Sequence, residues 1–284
     1  MSQPLRIAVP NKGTLADPAS QMLAEAGYRE RTDTRELVLM DAENDTEFFF
    51  LRPRDIAIYV GAGRVDVGIT GEDLLLDSGA IAVPILQLGF GASTFRFAGR
   101  PGTASSVYDL AGSRIATAYP GIVSAHLAAK GVEAGVIRLD GAVETAVRLE
   151  VADVIADVVS TGTTLRNAGL EVFGDPLLVS QAVLVRRTGA PGSARVDQLV
   201  RRLHGVIIAR RYVLMDYDIR DDLVEKAVAI TPGIESPTVA PLHEQGWSAV
   251  RSMVPSRDTN RIMDELWELG ARGILVTSIH ACRL

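Results

Sequence analysis

Cysteine is nearly absent from this chain: Cys282 is the one thiol among 284 residues. That excludes a disulfide within the chain and any thiolate zinc cluster. The four histidines, His126, His204, His243 and His280, lie far apart and show no metal-ligand spacing. Aromatic residues make up 5% of the chain, so its cores must be aliphatic, and 47% hydrophobic residues suffice to build them. There is no basic excess either. The net charge of −6 argues against a broad nucleic-acid surface, so an anionic ligand has to be met by local Lys and Arg. No apolar run is long enough to span a membrane. The first residues, "MSQPLRIAVPNKG", lack the apolar stretch of about 7–15 residues that marks a signal peptide. A cytoplasmic chain of roughly two domains of ordinary size is the expectation.

What is present is a repeated alternation of short apolar runs with helical patterns. "RIAVP" reads as a strand, "TLADPASQMLAEAGY" as an amphipathic helix, "EFFFL" as a strand and "RDIAIYVGAG" as a short helix. "VDVGIT" and "EDLLLDSG" repeat the pair. Such spacing argues for βαβ units and a mainly parallel sheet. A second unit begins after "LGFGASTFRFAG", with strands in "SRIATAYP", "AGVIRL" and "DVIADVV" and helices in "GIVSAHLAAKG" and "AVETAVRLEVA". The Gly/Ala/Pro-rich turn "RRTGAPGSARVD" precedes a helix, "VDQLVRRLHGVIIAR". From about residue 212 the rhythm becomes βαββαβ, the split-βαβ pattern of a small third domain.

The stretch that carries chemistry follows the strand "DVIADVV". Ser160, Thr161, Gly162, Thr163 and Thr164 put four hydroxyls and a glycine where a helix begins. Unpaired N–H groups and the helix dipole favour an anion there, small residues let it approach, and hydroxyls supply rotatable donors. The pattern suits one phosphate; an ordinary Ser/Thr cap is the plainer alternative. Asp157 lies inside the preceding strand, where a charge is costly unless paired or functional. Asp153 starts that strand. Glu144, in "DGAVETAVRL", is a second carboxylate candidate, though a first-turn Glu is locally just as good a reading.

Asp157 with "STGTT" resembles the phosphate-gripping motif of phosphoribosyltransferases. "RIAVPNKGTL", "EFFFLRPRDIAIYVGAGRVDVGITGEDLL", "IATAYP", "RLDGAVETAVRLEVADVIADVVSTGTTL" and "ITPGIESPTVAPL" together resemble the ATP phosphoribosyltransferase family, in its order and over essentially the whole chain. The βαββαβ tail is similar to that of the long form. The resemblance implies transfer of the phosphoribosyl group of phosphoribosyl pyrophosphate to N1 of ATP, giving N1-(5-phosphoribosyl)-ATP and pyrophosphate. This is the first step of histidine biosynthesis. It implies an α/β, two-lobed, periplasmic-binding-protein-like catalytic part with a cleft. Lobe I would be residues 1–93 with about 180–211, "SQAVLVRR" returning the chain to it. Lobe II would be residues 94–179, with the phosphate loop, and a ferredoxin-like regulatory domain residues 212–284.

The resemblance also assigns roles. Glu144 and Asp157 would hold the ribose and favour the developing cation. Lys12, Gly13, Arg52, Asp73, Ser93 and Tyr119 join Ser160, Thr161, Gly162, Thr163 and Thr164 as substrate-binding candidates. Lys12 otherwise reads as a solvated lysine and Tyr119 as a core tyrosine, whereas a ligand would use one as a cation and the other as a stacking ring. Mg²⁺ is implied mainly through substrate oxygens, and homo-hexamers or dimers are implied as the assembly. The tail would bind histidine, the pathway's end product, through Asp218, Ser236, Thr238 and Gly273; Asp218 could equally be a solvated acid of "MDYDIRDD". A binding module is the competing class, since solute-binding proteins and effector domains of regulators share the two-lobed plan. The former should carry a signal peptide and the latter a helix-turn-helix, neither of which is expected here.

Overall fold

The computed structural model describes residues 3–33, 35–159 and 162–283. By contacts it divides into two compact units: Met1–Ala24 with Tyr28–Asp197, and Glu25–Gly27 with Gln198–Leu284. In chain order the first unit opens with β1 (Leu5–Pro10), α1 (Ala16–Glu25), β2 (Val38–Asp41), β3 (Thr46–Leu51), α2 (Pro53–Gly61), β4 (Val67–Gly71), α3 (Glu72–Ser78) and β5 (Ala82–Gln87). It continues with β6 (Ser93–Gly99), β7 (Arg114–Thr117), α4 (Pro120–Lys130), β8 (Gly135–Arg138), α5 (Thr145–Arg148), β9 (Val154–Val159), α6 (Thr163–Asn167), β10 (Glu171–Ser180) and β11 (Ala182–Arg187). These strands form two sheets, β2-β3-β1-β4-β11-β5 and β10-β6-β9-β7-β8.

The central strands β1 and β4 are near-continuous apolar runs because both their faces are covered. Ala8, Ile56, Ala57, Val60, Val183 and Val185 form one core of the first sheet. Phe95, Phe97, Ile115, Val123 and Leu127 form one core of the second. The chain leaves the first sheet after β5 and re-enters it at β11, which takes its place between β4 and β5.

Several elements differ from the sequence reading. The sheets are mixed rather than mainly parallel. β1 runs parallel to β3 and β4, and β7 to β8 and β9, whereas β11 pairs antiparallel with β4 and β5 and β6 pairs antiparallel with β9 and β10. The return strands have no crossover helix to bring them round in the parallel sense. "AVETAVRLEVA" forms a single helical turn, because Ala142 and Glu150 at its flanks have positive φ (46° and 60°) and break the helical run. β2, β5 and β10 carry no strand assignment in the sequence reading.

Helix α7 (Ala194–Arg211) opens the last part of the chain, and the boundary between the units falls inside it, at Asp197/Gln198. Beyond it come β12 (Tyr212–Arg220), α8 (Val224–Ile230), β13 (Thr238–Pro241), β14 (Trp247–Pro255), α9 (Thr259–Leu269) and β15 (Arg272–Ser278). This is the expected βαββαβ order, in one antiparallel sheet, β13-β14-β12-β15. One face of that sheet buries Met215, Tyr217, Ile219, Val250 and Val254 with Ala227, Ile262 and Leu266 of the helices. The alternation of strand side chains places Asp216, Asp218, Arg251 and Thr238 on the other face. Among the described residues, no helix is long and apolar enough to cross a membrane.

Candidate active site

A cavity of about 400 Å³ lies where the ends of several strands of both sheets meet. From the first sheet it takes Lys12, Gly13 and Thr14 after β1, Pro53 at the start of α2, and Gly71, Asp73 and Leu74 at the β4–α3 turn. From the second it takes Ser93 at the start of β6, Tyr119 just before α4 and Val158 of β9. Parallel strands send their carboxyl ends to one side, where loops are free to carry polar groups. Gly13 sits at φ 78°, a conformation that costs glycine little and other residues more.

Asp73 is buried and anchored. Its backbone N–H donates to Ser180 Oγ at 3.1 Å, and that hydroxyl donates to Asp73 Oδ1 at 2.9 Å. Gly71 is required beside it: a Cβ there would fall within 3.0 Å of Asp73 Oδ1. Burial, foremost, with the nearby Asp73 charge holds the Tyr119 phenol above its ordinary pKa, against the opposing charge of Arg54. Its ring meets Phe95 edge-on (centroids 5.2 Å apart, 71° between planes) and carries the Arg54 guanidinium at 4.6 Å from its centroid. The ring is thus held by Arg54 on one face and by Phe95 edge-on, and it lines the cavity.

Asp157 stands next to the cavity-lining Val158 and accepts that residue's N–H at 2.7 Å. Burial, above all, pushes its carboxyl above the usual range; the Val158 N–H and the Arg54 charge work against this, and Glu144 and Asp73 add to it. Glu144 precedes α5 and is half-buried. Asp153, by contrast, is taken up by Arg114, whose Nη2 and Nε donate to its two oxygens at 2.8 and 3.2 Å.

The hydroxyl stretch is described in part. Ser160 and Thr161 lie outside the described residues. Gly162 caps α6 at φ 70°, and Thr163 and Thr164 begin that helix exposed, with Arg166 Nη2 donating to Thr163 Oγ1 at 3.3 Å. The helix has five residues, so backbone N–H groups and hydroxyls outweigh any dipole there. Arg52 occupies the N-cap of α2, exposed and outside the cavity lining, next to Pro53, which lines it. Arg54, two residues on, reaches the Asp77 carboxylate and the Ala118 carbonyl. Sequence reasoning passed over Arg54, Asp77 and Ser180. A basic residue in the first turn of a helix, where the dipole favours acids, as in "RPRD", was the available signal for Arg54.

In the second unit, Asp218 Oδ2 lies where a Cβ on Gly273 would meet it at 3.3 Å, and Gly273 has φ 60°. Thr238 is two strands away, opposite Arg251, which is opposite Asp216. That is roughly 10 Å across the sheet. Ser236 is exposed just ahead of β13. Among the described residues, no group of three or more His, Cys, Asp or Glu is poised to hold a metal ion.

Two family models match the chain: the one described as ATP phosphoribosyltransferase over residues 52–205 and the HisG C-terminal domain over residues 209–281. An ATP phosphoribosyltransferase of Streptomyces avermitilis is 63% identical over 284 residues, covering 99% of this chain and 100% of its own. One of Pseudarthrobacter chlorophenolicus is 65% identical over 283 residues, with the same coverage. Among solved structures, the ATP phosphoribosyl transferase (HisG:HisZ) complex from Thermotoga maritima is similar with a TM-score of 0.62 and 26% identity, over 72% of this chain and 98% of that one.

Proposed function

The chain belongs to the ATP phosphoribosyltransferase family, and from that premise we propose how its cavity divides the work of the reaction. It transfers the phosphoribosyl group of phosphoribosyl pyrophosphate to N1 of ATP, the first step of histidine biosynthesis. One observation carries the assignment of roles: Lys12, Gly13, Asp73, Ser93, Tyr119 and Val158, scattered over nearly 150 positions, line one cavity.

As pyrophosphate departs from C1 of the ribose, positive charge develops on the sugar ring. N1 of adenine is a neutral nucleophile, so a strong general base is not required, and attack from the opposite face gives inversion. Positioning and charge do the catalysis. Asp157 and Glu144 accept hydrogen bonds from the ribose hydroxyls and stabilise the developing cation. The position of Asp157 beside the cavity-lining Val158 supports this reading, because a carboxylate little exposed to water there acts on a developing cation with little screening. Gly162, Thr163 and Thr164, with Ser160 and Thr161, anchor the 5′-phosphate through N–H and hydroxyl donors. Lys12 and Arg52 meet phosphate oxygens, Gly13 and Ser93 offer close backbone and hydroxyl contacts, and Tyr119 offers its ring to adenine.

Mg²⁺ fits this site as a counter-ion of the leaving pyrophosphate. The donors here, Asp73 and Asp157, are hard oxygens, and such an ion is held by one or two carboxylates and substrate oxygens rather than a closed protein cage. When bound, it neutralises charge on the leaving group.

The third sheet is the place for histidine as inhibitor. Asp218 with Gly273 takes the ligand's cationic group, and Ser236 and Thr238 its polar atoms. Control then requires histidine to prefer one of two conformations of the enzyme. A homo-oligomer, hexamer or dimer, in the cytoplasm completes the reading, which involves neither nucleic acid nor membrane.

The test mixes purified protein, ATP, phosphoribosyl pyrophosphate and Mg²⁺ with pyrophosphatase. An absorbance change near the adenine band that requires all the substrates is expected. No product under any condition would return the chain to the binding-module class.

A further inference from the structure

Two ionised side chains outside the cavity lining tie its opposite walls together. Asp77 ends α3, which belongs with the first sheet, while α4 follows β7 of the second. Asp77 Oδ1 accepts the N–H groups of Gly121 at 2.8 Å and Ile122 at 3.3 Å. Those are first-turn donors of α4, whose N-cap, Tyr119, offers no side-chain cap of its own. Asp77 Oδ2 accepts from Arg54 Nη1 at 3.0 Å, and the same nitrogen donates to the Ala118 carbonyl at 2.8 Å. The Arg54 guanidinium also covers one face of Tyr119.

Each contact made to the second sheet's side ends on residues 118–122, and Tyr119 sits in the middle of that stretch. The approach is tight, since a Cβ on Gly121 would come within 2.6 Å of the Asp77 carbonyl. The Asp77 side chain is only 10% exposed, so its charge is little screened. One nitrogen, Nη1, serves both carboxylate and carbonyl while the guanidinium plane stacks on the ring, and the compact, strongly hydrated ammonium of lysine makes that stacked contact less well.

We propose that Arg54 and Asp77 are positioning residues that hold the Tyr119 wall against the first sheet and so set the geometry of the nucleotide half of the cavity. This rests on the reading that adenine meets Tyr119. The phosphoribosyl half, built from β9 and the loop after it, receives none of these direct contacts and only the through-space charge of Arg54 at Asp157, so the pair acts chiefly on the nucleotide side.

Asp77→Asn is the informative variant. It keeps an oxygen for the α4 N–H groups and removes the charge that holds Arg54. The KM for ATP should rise about tenfold, the cost of one charge-assisted hydrogen bond, while the KM for phosphoribosyl pyrophosphate moves less than about twofold. Arg54→Lys should do the same, and it carries the test if Asp77→Asn does not fold. In a Tyr119→Ala background, Asp77→Asn should no longer alter the KM for ATP. Equal increases for both substrates, or no increase for ATP in either variant, overturns the proposal. Tyr119→Ala that leaves the KM for ATP unchanged refutes the stacking role instead; a selective ATP effect of Asp77→Asn in the otherwise unaltered chain would still support the pair.

Discussion

Replacing Gly71 by alanine adds one methyl group to a backbone that tolerates it. Gly71 has φ −80° and ψ 145°, a conformation open to any residue, so no backbone strain follows. The consequence falls on Asp73. The new Cβ would stand under 3.0 Å from Asp73 Oδ1, whereas ordinary contact begins at 3.4 Å, so the carboxylate must retreat by at least 0.4 Å. Taken along the bond to Ser180 Oγ, that lengthens 2.9 Å to 3.3 Å or more, past the usual range of about 2.5–3.0 Å for O–H···O. Ser180 is buried at 3% exposure, so its hydroxyl has little access to a replacement partner. A hydrogen bond to a charged group contributes about 1.5–3 kcal/mol, and its loss should lower kcat/KM roughly ten- to a hundredfold if Asp73 serves the substrates. Urea unfolding should report a destabilisation of similar size. Ser180→Ala removes the same bond without crowding and should reproduce most of the effect. Wild-type kcat/KM and stability in Gly71→Ala would refute the claim that Asp73 is held in place by its neighbours.

Asp157→Asn should lower turnover without lowering stability at neutral pH. Because folding raises this carboxyl's pKa, the associated stability is present below the unfolded value of 3.8 and is lost as pH rises through the folded value. The melting temperature of the wild type should therefore fall relative to the Asn variant as pH rises from 3.8 through the folded value; a wild type that gains on the variant as pH rises contradicts the assignment. Thr164→Val should weaken phosphoribosyl pyrophosphate binding roughly tenfold and spare ATP, as measured by titration calorimetry of each ligand. Equal losses for both would count against the phosphate loop. Asp218→Ala should abolish inhibition by histidine and leave uninhibited turnover nearly unchanged in a steady-state assay; inhibition that persists would remove Asp218 from the regulatory site.

Strongly periodic segments were legible in the sequence. The βαββαβ tail shows its apolar alternation in "YVLMDYD" and "WSAVRSMVP", and its elements follow in that order along the chain. Of the strands that were missed, β2 has only four residues and β5 and β10 have interrupted patterns. β10 is broken by Gly174, Asp175 and Pro176, where its register with β6 shifts between Phe173 and Leu178. β5 contains Pro84, which an edge strand tolerates because it need not donate outward. The return of "SQAVLVRR" to the first unit was suggested by family resemblance and not by periodicity, and its place between β4 and β5 was not foreseen. Candidate residues at strand ends, Lys12, Asp73 and Tyr119, were singled out through the family resemblance, and they line one cavity. The partners that hold them were not. Asp73 and Ser180 are 107 positions apart, and Arg54 and Ala118 are 64 apart. Such pairs follow from sheet packing, which local patterns do not encode.

The place of β11 also governs the order in which the chain takes shape on the ribosome. β4 and β5 are not paired with each other; β11 must come between them, and Ala182 follows Gln87 by 95 positions. At about 5–20 residues per second, roughly 5–20 s pass between synthesis of the two strands and arrival of the third. Through that interval the apolar edge of β4, with Val67 and Ile69, has no partner in the finished pairing. A nascent chain in this state offers an open strand edge to its neighbours, a recognised route to aggregation. Expression at lower temperature, or with more chaperone, should therefore raise the soluble yield of this protein more than that of a sheet whose strands pair in order of synthesis.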